Sequence, residues 1–345
     1  MDELTPRQKE ILIRTIESYI ETVLPVGSRT LTERYPFRLS PASVRHELGV
    51  LEERGYLGHP HPSAGRVPTD RGYHFYVEEA VCEEPVSEAF LQLISREMEG
   101  GAKNLDSLME RASRILSTIA EEAVLMVLPA LQQLCLKELN LLLLDENRVL
   151  AVWCSTSGLI QDCLVVLEEP MIPEELERVR NFINKELAGV AIEALEMELL
   201  KKIEARRDSL KRLYERTLQI VRESIPHWGT PRVFVEGSRY VLNQPEFQDH
   251  EKFRHLVAAL EEKPALIRFV SRPQPEGQVR IAIGEKELSR DIWDCSLVSS
   301  SYRWRGRSVG ALGILGPRRM PYGRMIGLVR QMAGQISQTL ERWGS

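Results

Sequence analysis

The sequence predicts an α+β chain: a small helical N-terminal domain closed by a β-hairpin, an antiparallel sheet domain behind it, and a helix-rich segment inserted into that second domain. Three observations predict this. Residues 1–80 carry three closely spaced helix start signals and then a hairpin punctuated by proline and glycine. Short apolar runs parted by turn residues occur at 139–167 and again after residue 278. Between them lies a long, charged stretch with a narrow apolar stripe.

With 345 residues, 43% of them hydrophobic, the chain is long enough for two or three domains with a full core. A formal net charge of −5 argues against a protein that coats nucleic acid or anionic membrane indiscriminately, so any contact with DNA has to come from a local patch. No apolar run approaches the length of a membrane span and no basic-then-apolar leader opens the sequence, which predicts a cytoplasmic protein without a membrane partner. The five cysteines, Cys82, Cys135, Cys154, Cys163 and Cys295, are scattered and never in a CxxC arrangement, so they read as small core residues rather than disulfides or thiolate ligands.

The N-terminal elements follow from local chemistry. Thr5-Pro6-Arg7-Gln8 is a capping-box start, and Leu12, Ile16, Tyr19, Ile20 and Val23 then recur on one helical face until Pro25 and Gly27 end the run. Ser28 is positioned to cap a short second helix over 29–35, closed by Pro36. Ser40-Pro41 starts a third helix that runs to about Arg54, with Gly55 as its stop. Val44, Leu48 and Leu51 form its buried stripe, which leaves Ala42, His46 and Gly49 pointing outward, with Ser43 and Arg45 on the flanks. Short polar side chains near a helix N-terminus suit entry into a DNA major groove; a solvated surface helix is the plainer alternative.

The next residues favour DNA. Tyr56-Leu57 and Arg66-Val67 read as two strands around the turn-rich loop Pro60-His61-Pro62-Ser63-Ala64-Gly65, which makes a wing, and Thr69 or Asp70 caps a linker helix. Residues 25–75 carry seven arginines against five acids, whereas residues 1–24 carry three basic against five acidic residues. Positive charge therefore gathers on the second helix, the third helix and the wing. This is a winged helix-turn-helix pattern, and the residues expected to face DNA are Ser28, Arg29, Ser40, Ala42, Ser43, Arg45, His46, Gly49, His61, Ser63, Gly65 and Arg66.

Behind this domain, the spacing predicts a helix over 104–125, an antiparallel meander at 139–144, 149–154 and 159–167, and a helix over 173–187 stopped by Gly189. A second block of strands is predicted at 279–283, 295–302 and 309–315, followed by a helix over 322–343. Helix, meander, helix, further antiparallel strands and a closing helix is the order of a GAF-type sensor fold. The stretch between the blocks opens with a charged helix over about 190–225, carrying eight basic and seven acidic residues. Its stripe of Leu195, Leu199, Ile203, Leu210 and Leu213 is assigned to homodimerisation, the alternative being a helix packed on its own domain. The expected organisation is a DNA-binding domain at 1–80, a linker at 81–103, a GAF-like domain in two parts at 104–189 and 276–345, and an inserted dimerisation domain at 190–275.

Certain segments carry a family signature: Pro-Val-Gly-Ser-Arg-Thr-Leu at 25–31, Leu-Ser-Pro-Ala-Ser-Val-Arg at 39–45, Leu-Glu-Glu-Arg-Gly-Tyr-Leu at 51–57 and Ser-Ala-Gly-Arg-Val-Pro-Thr-Asp-Arg-Gly-Tyr at 63–73. Asn-Gln-Pro-Glu-Phe at 243–247, Asp-Cys-Ser-Leu at 294–297 and Gly-Ala-Leu-Gly-Ile-Leu-Gly-Pro-Arg-Arg-Met-Pro-Tyr at 310–322 continue it. With these the chain resembles the HrcA heat-inducible transcription repressors. The resemblance implies a cytoplasmic, dimeric repressor of chaperone operons that binds an inverted-repeat operator, the CIRCE element, and is kept active by the GroE chaperonin. It implies the GAF-like fold as well. One position departs from the pattern: His46 stands where many members have asparagine, so its base preference is left open.

Other readings have less support in the residues. His46, His59, His61 and His74 lack a cysteine or spaced carboxylates to complete a zinc site. Gly310, Gly313 and Gly316 lie along a strand with no lysine at Walker spacing, so close backbone packing accounts for them better than a phosphate. Ser296, Ser299, Ser300 and Ser301 have no histidine nearby in sequence, which disfavours a hydrolase. No cofactor, metal or catalytic residue is expected. The functional alternative is a winged-helix regulator controlled by a small metabolite in the GAF-like domain; an enzyme with a DNA-binding appendage is a third.

Overall fold

A computed structural model of the chain describes residues 3–61, 64–99, 105–128, 134–156, 160–204, 211–229, 232–272, 274, 277–284, 295–304 and 306–343. Helix α1 (Pro6–Thr22) opens on the capping box: the Gln8 N–H donates to Thr5 Oγ1 (3.3 Å) and the Thr5 N–H to Gln8 Oε1 (3.1 Å). Helix α2 (Ser28–Arg34) begins after Gly27 without a side-chain cap. Ser28 is thus the first helical residue and is buried, which corrects its expected capping role. Helix α3 (Pro41–Glu53) is capped by Ser40, whose Oγ accepts the Ser43 N–H (3.2 Å), and it buries Val44, Leu48 and Leu51. Strands β1 (Leu57–Gly58) and β2 (Val67–Pro68) pair antiparallel, and Thr69 caps helix α4 (Asp70–Glu79) by accepting the Gly72 N–H.

The rest of the chain folds as helix α5 (Glu88–Glu99), helix α6 (Leu105–Ala120), strands β3 (Ala123–Leu128), β4 (Leu136–Leu143), β5 (Arg148–Ser155) and β6 (Ile160–Val166), then helices α7 (Pro173–Glu186), α8 (Leu195–Glu204) and α9 (Lys211–Gly229). Strand β7 (Arg232–Glu236), helices α10 (Ser238–Leu242), α11 (His250–Glu261) and α12 (Lys263–Val270), strands β8 (Val279–Ile283), β9 (Cys295–Trp304) and β10 (Arg307–Pro317), and helix α13 (Tyr322–Trp343) complete it. The body is α+β, as expected, but its strands form two separate sheets. Strands β7-β3-β10-β9-β8 make a five-stranded antiparallel sheet, and β4-β5-β6 make a three-stranded meander.

In the five-stranded sheet, alternate residues of β3 serve two cores. Val124, Met126 and Leu128 join the cluster containing α5, α6 and α13, while Ala123, Leu125 and Val127 join the cluster containing α10, α11 and α12. A strand covered on both faces is apolar throughout. The glycines of β10 are sites of close approach, as expected: a Cβ at Gly310 would lie 2.1 Å from the Tyr302 ring, and one at Gly316 would lie 2.7 Å from the Glu122 carboxyl group.

The meander has a third core of its own, closed by α7, α8 and α9. This corrects the expected division of the chain. The inserted unit begins at β4 and ends with α9, between the paired neighbours β3 and β7, while α10 to α12 belong to the larger sheet. The single helix expected over 190–225 is two helices packed on each other, α8 and α9. Strand β3 occupies residues expected to end a helix, and β7 and α5 lie where no element was expected.

The N-terminal unit is joined firmly to the body. Arg318 and Asp70 form an ion pair (2.9 Å), the Tyr73 and Tyr322 rings are 6.4 Å apart, and the Glu84 N–H donates to the Gly323 carbonyl (3.0 Å). The segment after α4 lies along α13, so close that a Cβ at Gly327 would come within 2.4 Å of the Glu84 carbonyl oxygen.

Candidate nucleic-acid interface

The outward side of α3 carries Ala42, Ser43, Arg45 and His46, all exposed, and Gly49, which is half-buried with open space where a Cβ would stand. This side exists because the stripe of Val44, Leu48 and Leu51 is consumed by contacts with α1 and α2. Two of the three acids of α3 are tied to partners of their own, and the third, Glu53, is exposed in the last turn. Glu47 accepts a hydrogen bond from Gln8 Nε2 (3.1 Å) and lies 3.8 Å from Arg7, both at the start of α1. Glu52 meets His59 Nδ1 through Oε1 and Arg66 Nη2 through Oε2 (2.5 Å).

The seven arginines of residues 25–75 divide into two groups. Arg34 pairs with Glu21; Arg71 donates to the Arg54 carbonyl (2.7 Å) and lies over the Tyr56 ring; Arg54 reaches the Glu3 carbonyl; Arg66 is held by Glu52. Arg29, Arg38 and Arg45 are exposed and enter no ion pair among the described residues. The sequence count of positive charge thus reduces to three available guanidinium groups on α2, the α2–α3 turn and α3.

The hairpin is braced from two sides. Arg66 exchanges backbone hydrogen bonds with Val26, each 2.8 Å long, and Gly65 lies against the Pro25–Val26 backbone, where a Cβ would be 2.6 Å from Pro25. On the other side stands Glu52. Of the residues expected to face DNA, the structure brings Arg29, Ala42, Ser43, Arg45 and His46 to an exposed surface, and His61 is exposed on the hairpin loop. Ser40 is engaged as a cap, Ser28 is buried, and Gly65 and Arg66 brace the hairpin; Ser63 lies outside the described residues. Arg38 and Glu52 were not among the expected site residues. Neither carries a sequence signal: Arg38 sits in a turn, and the seven-residue spacing of Glu52, His59 and Arg66 means nothing here because the helix ends at Glu53 and the other two residues lie in the hairpin.

Leu195 and Leu199, expected on a dimer stripe, are fully buried against α7, α9 and the three-stranded sheet, and Leu213 is half-buried at the edge of the same core. Burial within the chain leaves Leu195 and Leu199 no surface for a second copy. The side chain of Ile203, and Leu210 altogether, lie outside the described residues. Among the described residues no helix is long and apolar enough to cross a membrane.

Fold and surface together define a class: a small helical head with a polar, arginine-flanked helix face, mounted on a two-sheet α+β body. Residues 106–326 match the family model described as the HrcA protein C-terminal domain. Relatives named heat-inducible transcription repressor HrcA match along nearly the whole length. The one from Natranaerobius thermophilus is 35% identical over 341 residues, covering 97% of both chains, and that from Pelotomaculum thermopropionicum is 30% identical over 340 residues, covering 99% of this chain and 98% of its own. A crystal structure of a hypothetical protein at 2.2 Å, 20% identical, superposes with a TM-score of 0.65 over 99% of this chain and 100% of its own, and so shares the fold. The chain belongs to the HrcA family.

Proposed function

We propose that the chain is a transcription repressor of the heat response, binding double-stranded DNA through α2, α3 and the β1–β2 hairpin as a winged helix-turn-helix. The observation that carries this reading is the outward side of α3, where small residues, Arg45 and His46 are exposed while Glu47 and Glu52 are held elsewhere. Small side chains let the helix approach base edges, and unpaired arginines neutralise phosphates. The relatives' shared name supports the same conclusion. Three available arginines give one head little affinity, so the repressor acts as a homodimer with one head on each half of an inverted repeat. In this reading the operator is the CIRCE element, the body is a GAF-like domain, the protein works in the cytoplasm without catalysis, and the GroE chaperonin keeps it active until unfolded proteins compete for that chaperonin.

The dimer surface in this proposal is the open face of the β4–β6 meander. Leu142, Leu150 and Leu164 lie side by side across the three strands, with Leu144, Ile160 and Val166 around them, and all but Leu150 are exposed. Apolar sheet faces of this kind mark protein interfaces.

A second reading, control by a small metabolite, has one observation in its favour: an apolar groove of about 380 Å³ lined by Val233, Val235, Leu242, Val257 and Leu260. The deciding experiment is to recover genomic DNA fragments bound by the purified protein and ask whether they share one inverted repeat. Arg45→Ala is expected to weaken binding to those fragments on the order of tenfold relative to mixed-sequence DNA. Equal binding by variant and parent in a gel-shift titration would remove α3 as the reading helix.

A further inference from the structure

Two strands of two residues each cannot hold a hairpin by themselves, since even longer isolated hairpins are marginal in water. What fixes the loop between β1 and β2 is therefore outside the pairing. On one side it is the backbone bridge between Val26 and Arg66. On the other it is a single carboxylate: Glu52, in the last turn of α3, receives His59 at the start of the loop on one oxygen and Arg66 at its end on the other. Glu52 and Arg66 are mostly shielded, each side chain keeping 23% of its exposure, and Arg66 Nε is buried without a hydrogen-bond partner among the described residues. An arginine so placed is occupied in the free protein.

We propose that Glu52 is a positioning residue of the DNA-binding surface, clamping both roots of the hairpin loop to α3 and withholding Arg66 from the phosphate backbone. The inference rests on the DNA-binding reading of α2, α3 and the hairpin. It reverses the expected role of Arg66, which becomes a strut, and leaves phosphate neutralisation to Arg29, Arg38 and Arg45. Because the clamp starts from the helix that reads bases, the hairpin and α3 meet the duplex as one rigid surface. Discrimination between sequences then depends on the clamp, while Arg66 adds nothing to the electrostatic part of binding as long as the clamp holds it.

The test uses the full-length protein, duplexes that it selects from genomic DNA and a mixed-sequence duplex of equal length, each titrated over a range of salt. Arg66→Ala is expected to lower the ratio of selected to mixed affinity on the order of tenfold while leaving the salt slope unchanged. Glu52→Ala is expected to lower the same ratio and to steepen the slope by about one, because Arg66 is freed to meet a phosphate. In the Glu52→Ala background, adding Arg66→Ala should return the slope to that of the parent. Glu52→Gln, whose amide can accept from Arg66 and donate to His59, should keep most of the discrimination, a rescue that general loss of stability does not produce. A slope reduced by about one in Arg66→Ala alone makes Arg66 a phosphate ligand and overturns the proposal. Full discrimination in Glu52→Ala overturns it as well. A parent protein that binds no duplex would refute the DNA-binding reading itself, an outcome distinct from either of these.

Discussion

At Glu122 the body buries a carboxyl group in an apolar setting. The residue keeps 5% of its exposure, its Oε2 has no hydrogen-bond partner among the described residues, and burial pushes its pKa up to about 8. Arg319 works against that shift and the charges of Glu246 and Glu121 add to it. The folded chain therefore holds a proton that the unfolded chain releases near pH 4.5. Stability from this group is full below that pH and is lost progressively as the pH climbs to about 8, by a few kcal/mol in all. Glu122→Gln is expected to match the parent near pH 5 and to exceed it by about 2 kcal/mol or more above pH 8. Denaturant unfolding at the two pH values checks this, and an unchanged difference between parent and variant would show that the carboxyl group is ionised in the fold. No local pattern in the sequence distinguishes Glu122 from an exposed acid such as Glu121, since its burial comes from β10, where Gly316 leaves room for it. The candidate site was more legible. Ala42, Ser43, Arg45 and His46 could be placed because one helical period decides their direction, whereas the roles of Glu52 and Arg66 depend on a contact across the hairpin.

Among the elements, legibility follows how local the determining forces are. Helices α1, α3, α7 and α13 were readable from caps, prolines and stripes, and the three strands of the meander from alternation and turns. Strand β3 was not, because an unbroken Ala-Val-Leu-Met-Val-Leu run directly after α6 has no period of its own and reads as more helix. That α8 and α9 pack on each other instead of forming one helix was hidden for a related reason: no glycine or proline stands in the sequence between them. Which sheet a strand would join was also beyond local reading, and with it the burial of Leu195 and Leu199 inside the chain. The meander makes the point directly. Its inner residues Val149, Ala151 and Trp153 are buried, while Leu142, Leu164 and Val166 on the outer face remain about half exposed. If this face joins two copies, Leu164→Asp shifts the protein from dimer to monomer in sedimentation without lowering its melting temperature as a monomer. A variant that stays fully dimeric would move the interface elsewhere.

For the whole molecule, the joint between head and body is close-packed. Gly323 and Gly327 of α13 meet the backbone at Cys82 and Glu84, and the Arg318–Asp70 pair stands beside them. Gly327→Ala is expected to displace the segment after α4, since its Cβ cannot fit 2.4 Å from a carbonyl oxygen, while alanine favours the helix itself by about 1 kcal/mol. Faster amide exchange at residues 81–87 with unchanged exchange in the centre of α13 is the signature; unchanged protection at 81–87 would show that the joint yields elsewhere. The insertion between β3 and β7 has a consequence for the newborn chain. As synthesis proceeds, β3 emerges long before β7 and β10, the strands on its two edges, and the sheet cannot close until Pro317 has been made. Long-range pairing of this kind is slow and leaves unpaired edges prone to aggregation. For most of its synthesis, and again after any unfolding, the chain carries a wholly apolar strand whose two partners are missing.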